Sequence, residues 1–228
     1  MFTLEGPGLG DFGEEEMVEI VENLVDYLHR HDISNVALVD KAARPAYIGI
    51  KRVWDTKYPE AKRPEIYFFN PLAFKSDNSS FFKFLSSRKI IGELKRNYKK
   101  LIDDKTLPIM VFDTCMHTGR NMSSIVDTLE RTGFEEIHTG VVSFVPVVDY
   151  HSVNPDFQAL DYKPSWGCYP FGEEIGWRGL VENCFERFTS SVNRSLLYRG
   201  YGLERRRKII ELFEGKGYSL GSQNGKDL

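Results

Sequence analysis

Only three of the 228 residues are cysteines, Cys115, Cys168 and Cys184, and no two stand in a Cys-x-x-Cys pair. That is too few for a disulfide framework, so a reducing compartment is expected. Long apolar runs are also missing: no stretch reaches the roughly 20 residues that a bilayer-spanning helix needs. Residues 1–13 hold glycines and acids instead of a basic segment followed by an apolar one. These absences predict a cytoplasmic protein with no membrane segment. Charge of one sign is not in excess either. With 30 basic against 33 acidic side chains the net charge is −3, so no overall basic field draws the chain toward nucleic acid, and no such partner is expected. Internal repeats are absent, and only residues 215–228, rich in Gly, Ser and Lys, read as a flexible tail.

What is present is 41% hydrophobic residues, enough to fill a sizeable core, and a length that fits one large α/β domain. A single domain over residues 1–214 is the expectation. Residues 14–31 place Val18, Val21, Leu24, Val25 and Leu28 on one helical face, with acids in the first turn and Arg30 and His31 in the last. A short β-rich run, 35–39, precedes a helix in which Ala46, Ile50, Val53 and Trp54 form the apolar stripe. Residues 65–69 give the next strand, and 81–101 mix aromatics with Lys and Arg at the spacing of a surface helix. A strand over 107–112, a helix over 121–131 closed by Gly133, and a strand over 136–145 follow. Such alternation implies an α/β fold with a mostly parallel sheet and helices on both faces. Its core spans about 14–145. Residues 146–179 turn irregular and rich in Tyr, Trp, Gly and Pro, so about 146–200 reads as a hood or variable subdomain.

Residues 109–121, Ile-Met-Val-Phe-Asp-Thr-Cys-Met-His-Thr-Gly-Arg-Asn, carry the most chemistry. An apolar strand ends at Asp113, turns through Thr118-Gly119, and passes at once into a helix with Met122, Ile125, Val126 and Leu129 on one face. This arrangement gathers free N–H groups and hydroxyls in one small concavity with a carboxylate at its rim, the chemistry of a phosphate site beside a hydroxyl or metal acceptor. His117 suits a general base or a phosphate donor, although a lone turn histidine is more often simply solvated. Cys115 reads as a small packing residue, since no base accompanies it. The basic cluster Arg205-Arg206-Arg207-Lys208 reads as a solvated helix face.

Residues 113–121 resemble the phosphoribosyl pyrophosphate signature of the type I phosphoribosyltransferases. The run Val36-Ala37-Leu38-Val39-Asp40-Lys41-Ala42-Ala43-Arg44-Pro45-Ala46 resembles the pyrophosphate loop of that family, which also follows the first strand of its sheet. The resemblance covers roughly residues 14–145. It implies a type I phosphoribosyltransferase-like fold that binds phosphoribosyl pyrophosphate or a nucleoside monophosphate. The implied reaction transfers ribose 5-phosphate to a nitrogenous base with release of pyrophosphate. His117, Thr118, Gly119, Arg120 and Asn121 would hold the 5′-phosphate. Lys41, Ala42, Ala43 and Arg44 would meet the pyrophosphate, Arg44 as a planar fork and Lys41 as a point charge. Asp113 would be the catalytic residue, accepting ribose hydroxyls or orienting a metal-bound water. Mg²⁺ would enter with phosphoribosyl pyrophosphate and not on protein ligands of its own. A homodimer is compatible with this reading.

Thr114 stands where many members carry a second acid, and Arg120, Asn121 and Ala43 replace commoner small residues. The alternative is therefore a catalytically inactive phosphosugar- or nucleotide-binding regulator of the same fold. A haloacid-dehalogenase-type phosphohydrolase using Asp113 as nucleophile fails, because Cys115 occupies the place of its second acid. Trp166, Tyr169, Phe171 and Trp177 suit either base stacking or the core of a covering subdomain. Nothing in the sequence names the acceptor base.

Overall fold

The computed structural model describes residues 14–39, 43, 46–69, 91–92, 94–96, 98–116, 119–144, 154–160 and 196–221, and the structural statements below concern these. Helix α1 (Glu14–Arg30) leads into strand β1 (Asn35–Val39), helix α2 (Ala46–Lys57) and strand β2 (Glu65–Phe69). After a helical turn near residues 91–96 come the short α3 (Lys99–Asp103), β3 (Ile109–Met116), α4 (Arg120–Thr132), β4 (Ile137–Phe144), β5 (Phe157–Gln158) and α5 (Leu196–Gly215). The strands form one sheet in the order β2-β1-β3-β4-β5, and every neighbouring pair is parallel.

Strand alternation divides the core between the two faces of this sheet. Val36 and Leu38 of β1, Met110 and Phe112 of β3, and Val142 of β4 pack with α1, α2 and α5. Ala37, Val39, Ile109, Val111 and Val141 face the other way, against Met122, Ile125 and Leu129 of α4 and against Leu94, Tyr98 and Leu101. All five β1 residues are buried, as a strand covered on both faces requires. The apolar stripe of α1 is likewise buried from Met17 to Leu28, with Glu14, Glu15 and Glu16 in the first turn. The expected α/β sheet with helices on both faces is therefore the one observed.

Three details differ from the sequence reading. Strand β3 does not stop before Asp113 but runs on to Met116, because β4 is long enough to pair with the extension through Cys115↔Ser143 and Met116↔Phe144. A fifth strand, β5, adds to β4 at Gly140 and Val141 inside the segment expected to be irregular. The surface helix over 81–101 is interrupted where it is described. Tyr98 leaves helical geometry at φ −125°, ψ 45°, and its buried ring donates its hydroxyl to the Phe68 carbonyl at 2.7 Å.

Residues 216–221 pack back on the fold. The Tyr218 N–H donates to Phe213 O at 2.9 Å, the Tyr218 hydroxyl bonds to the Glu22 carboxylate, and Thr56 Oγ1 donates to Ser219 O at 3.4 Å. Residues 222–228 lie outside the described residues. No helix among the described residues is long and apolar enough to cross a membrane.

Candidate phosphate and ribose site

The strand order makes one crevice by itself. The connection from β1 passes through α2 to β2 on one side, and the connection from β3 passes through α4 to β4 on the other, with the two helices on opposite faces. At such a switch point adjacent connections part company, leaving a cleft outside the carboxyl ends of the two central strands, where ligands of open α/β sheets bind. Both segments singled out in the sequence, 41–44 and 117–121, follow these two strands. The last paired rung between them is Leu38↔Phe112, so Asp113 is the first β3 residue beyond it.

Asp113 is partly buried, and its Oδ1 accepts the Thr114 backbone N–H at 2.7 Å, which fixes the carboxylate against its own strand. By alternation it shares the α4 side of β3 with Ile109 and Val111, while Thr114, 2% exposed, lies on the α1 and α2 side. Consecutive residues here serve different faces, so this pair of positions brings one carboxylate to the mouth of the cleft.

Gly119 closes the turn. It is buried, sits at φ 68°, ψ −3°, and caps α4 with its carbonyl accepting the Ser123 N–H at 2.8 Å. Left-handed backbone excludes most side chains, so glycine suits the position that opens α4. Glycine offers no side chain to cap the helix, and the first-turn N–H groups of a helix have no acceptor within it. Asn121 is exposed on the first turn, and Arg120 opens the helix.

Of the other loop, Ala43 is described. It is fully buried among core residues, its N–H approaches Val39 O at 3.4 Å, and its carbonyl accepts the Ala46 N–H at 3.1 Å. Its methyl group therefore packs inward and anchors the loop. Lys41, Ala42, Arg44, His117 and Thr118 lie outside the described residues, as do Trp166, Tyr169, Phe171 and Trp177. Asp113, Gly119 and Ala43 are thus brought to the carboxyl ends of two adjacent strands.

Sequence reasoning missed a pair on α2, the helix that follows the first loop. Lys51 is 8% exposed, and its Nζ donates to the Tyr47 hydroxyl at 3.2 Å. Tyr47 in turn meets Phe68 edge-on, with ring centroids 5.7 Å apart. The spacing of four residues was visible, but burial of the lysine was not.

Neither a family model nor a curated protein matches the chain. Solved structures do match. A hypoxanthine-guanine-xanthine phosphoribosyltransferase shares 11% identity at a TM-score of 0.45, covering 68% of this chain and 79% of its own. A purine phosphoribosyltransferase from Pyrococcus horikoshii shares 11% identity at a TM-score of 0.39, covering 64% and 83% respectively. A hypoxanthine-guanine phosphoribosyltransferase from Bacillus anthracis shares 12% identity at a TM-score of 0.42, covering 68% and 83%. All three are phosphoribosyltransferases.

Proposed function

We propose that the cleft between β1 and β3 binds phosphoribosyl pyrophosphate and that the protein transfers its ribose 5-phosphate to a nitrogenous base, releasing pyrophosphate. The observation that carries this reading is the switch point itself: two loops resembling the family's pyrophosphate and phosphoribosyl loops leave adjacent parallel strands at one crevice. In this reading the 5′-phosphate sits at the α4 N-terminus, cradled by the Gly119 turn, where backbone N–H groups and the helix dipole favour negative charge. Asp113 faces the ribose, where its charge stabilises the cationic character that develops at the sugar as the pyrophosphate leaves. The loop 41–44 faces the pyrophosphate.

Mg²⁺ belongs to this proposal as a companion of the substrate. Asp113 is a single carboxylate with one oxygen engaged by Thr114, and no group of three His, Cys, Asp or Glu among the described residues is placed to hold a metal. That donor set fits an ion arriving already coordinated by phosphate oxygens. Bound there, it would neutralise charge on the departing pyrophosphate.

The single carboxylate also favours a second reading, a regulator that holds the phosphosugar without turning it over. Two measurements separate the possibilities. Phosphoribosyl pyrophosphate with Mg²⁺ at about 100 times its dissociation constant stabilises the fold by roughly 2.7 kcal/mol, which raises Tm by roughly 5 to 11 °C for a chain of this size. Absence of any shift at millimolar ligand refutes both readings. Pyrophosphate release across a panel of purines, pyrimidines and orotate identifies the enzyme, and binding without release identifies the regulator.

A further inference from the structure

A second cavity, of about 260 Å³, opens at the opposite end of the sheet, beside the residues that precede β1 and β2. Its walls are rigid. Trp54 is 3% exposed, and its indole N–H donates to Ala61 O at 3.1 Å. The His29 ring lies flat on Tyr58, with centroids 3.7 Å apart and planes 4° apart. Arg63 is held by Asp55 through one guanidinium nitrogen, at 3.0 and 3.2 Å from the two carboxylate oxygens, so its other nitrogens remain available.

Three polar residues that line this space, Asp32, Lys62 and His29, are exposed, and their side chains make no hydrogen bond or ion pair among the described residues. Asp32 and Lys62 carry opposite charges in one cavity and still do not pair. Among the described residues Asp32 is the non-glycine residue at positive φ, 49°, in the position just past α1 where glycine is usual.

We propose that this cavity is a binding site for a small zwitterion with a flat side group, the chemistry of an aromatic α-amino acid. The ligand ammonium meets Asp32, its carboxylate meets Lys62 and the free edge of Arg63, and its ring lies on the exposed His29 imidazole, which Tyr58 backs. The volume lies near the small end of ligand sites, room for an amino acid. The site is separate from the cleft at the carboxyl ends of the strands, and its existence does not depend on the phosphoribosyl reading.

Calorimetric titration of the full chain tests it with L-tryptophan and L-phenylalanine, against tryptamine, which lacks the carboxylate, and indole-3-propionate, which lacks the ammonium. The amino acids bind at millimolar concentration or below, and each half-ligand binds roughly tenfold more weakly, as expected for the loss of one charged hydrogen bond. Lys62→Glu and Asp32→Gly each weaken L-tryptophan by at least roughly tenfold. Asp32→Gly melts at or above the wild-type temperature, because glycine suits the left-handed backbone, so its loss of binding is not a loss of folding. No heat with either amino acid at millimolar concentration overturns the proposal. So does equal affinity for whole and half ligands, or unchanged binding in both variants.

Discussion

Gly49→Ala sets two effects of known size against each other. The helix gains, because alanine is about 1 kcal/mol better than glycine inside a helix. The packing loses. A Cβ at position 49 would lie 2.5 Å from Cζ and 2.9 Å from Cε2 of Phe213, and 3.0 Å from Cγ1 of Val21. Carbon atoms in contact prefer about 3.5 to 4.0 Å, so the new methyl overlaps the ring by roughly 1 Å. Phe213 and Val21 are both fully buried, which leaves the ring nowhere to retreat without moving α5 off α2. Overpacking costs about 1 to 3 kcal/mol, and a fully buried aromatic ring places this case toward the upper end. The net expectation is a loss of about 1 to 2 kcal/mol, or roughly 2 to 8 °C in Tm for a chain of this length. Urea unfolding followed by helical circular dichroism measures it as a lower midpoint at unchanged slope. In a Phe213→Leu background, where the ring edge is gone, the same substitution costs less, so the double-mutant cycle shows coupling. A midpoint raised by Gly49→Ala alone refutes the close approach of α2 and α5.

Other expectations are as direct. The Tyr67 hydroxyl is buried without a partner among the described residues, and its pKa is pushed up to about 12, first by burial and then by the carboxylates of Glu65 and Asp104. The folded chain therefore keeps a proton that the unfolded chain releases near pH 10, so stability holds below that pH and falls between pH 10 and about 12. Tyr67→Phe shrinks this alkaline fall and adds up to about 1 kcal/mol at neutral pH, and urea midpoints that show neither contradict the burial. Gly119→Val forces a β-branched residue into left-handed backbone at a cost of about 1 to 2 kcal/mol or more and weakens binding of 5′-phosphates; wild-type affinity in that variant removes the α4 N-terminus from the site. Asp113→Asn lowers kcat by about 10²-fold or more while much of the ligand-induced thermal shift survives, and unchanged turnover refutes the placement of the ribose.

The fold was legible where periodicity is strong and both flanks are punctuated. Helix α1 shows its stripe and its charged ends, β1 and β2 are uninterrupted β-rich runs, and Gly133 marks the end of α4. What escaped were features set by partners distant in sequence. Strand β3 continues past Asp113 only because β4 offers rungs for Cys115 and Met116, and β5 is two residues long, too short for any pattern to announce. Tyr98 leaves helical geometry where its hydroxyl meets a carbonyl 30 residues away. Of the site, the sequence shows the order of loops and strands but not that β1 and β3 are neighbours, since β2 intervenes in the chain. Nor could it show that Ala43 faces inward, which follows from packing, or that Asp113 and Thr114 serve opposite faces, because the strand was expected to end at residue 112.

The insertion of β3 between β1 and β4 also fixes when the cleft can exist. Val39, where the first loop begins, and Asp113 come side by side when the chain, having passed through β2 on the outer edge of β1, returns to its inner edge. Closing so long a loop precedes any reward from the contact, so this pairing belongs among the slow, non-local steps of folding. During synthesis the first loop emerges well before its counterpart, and a nascent chain ending short of β3 has half a cleft and a sheet edge waiting for its neighbour.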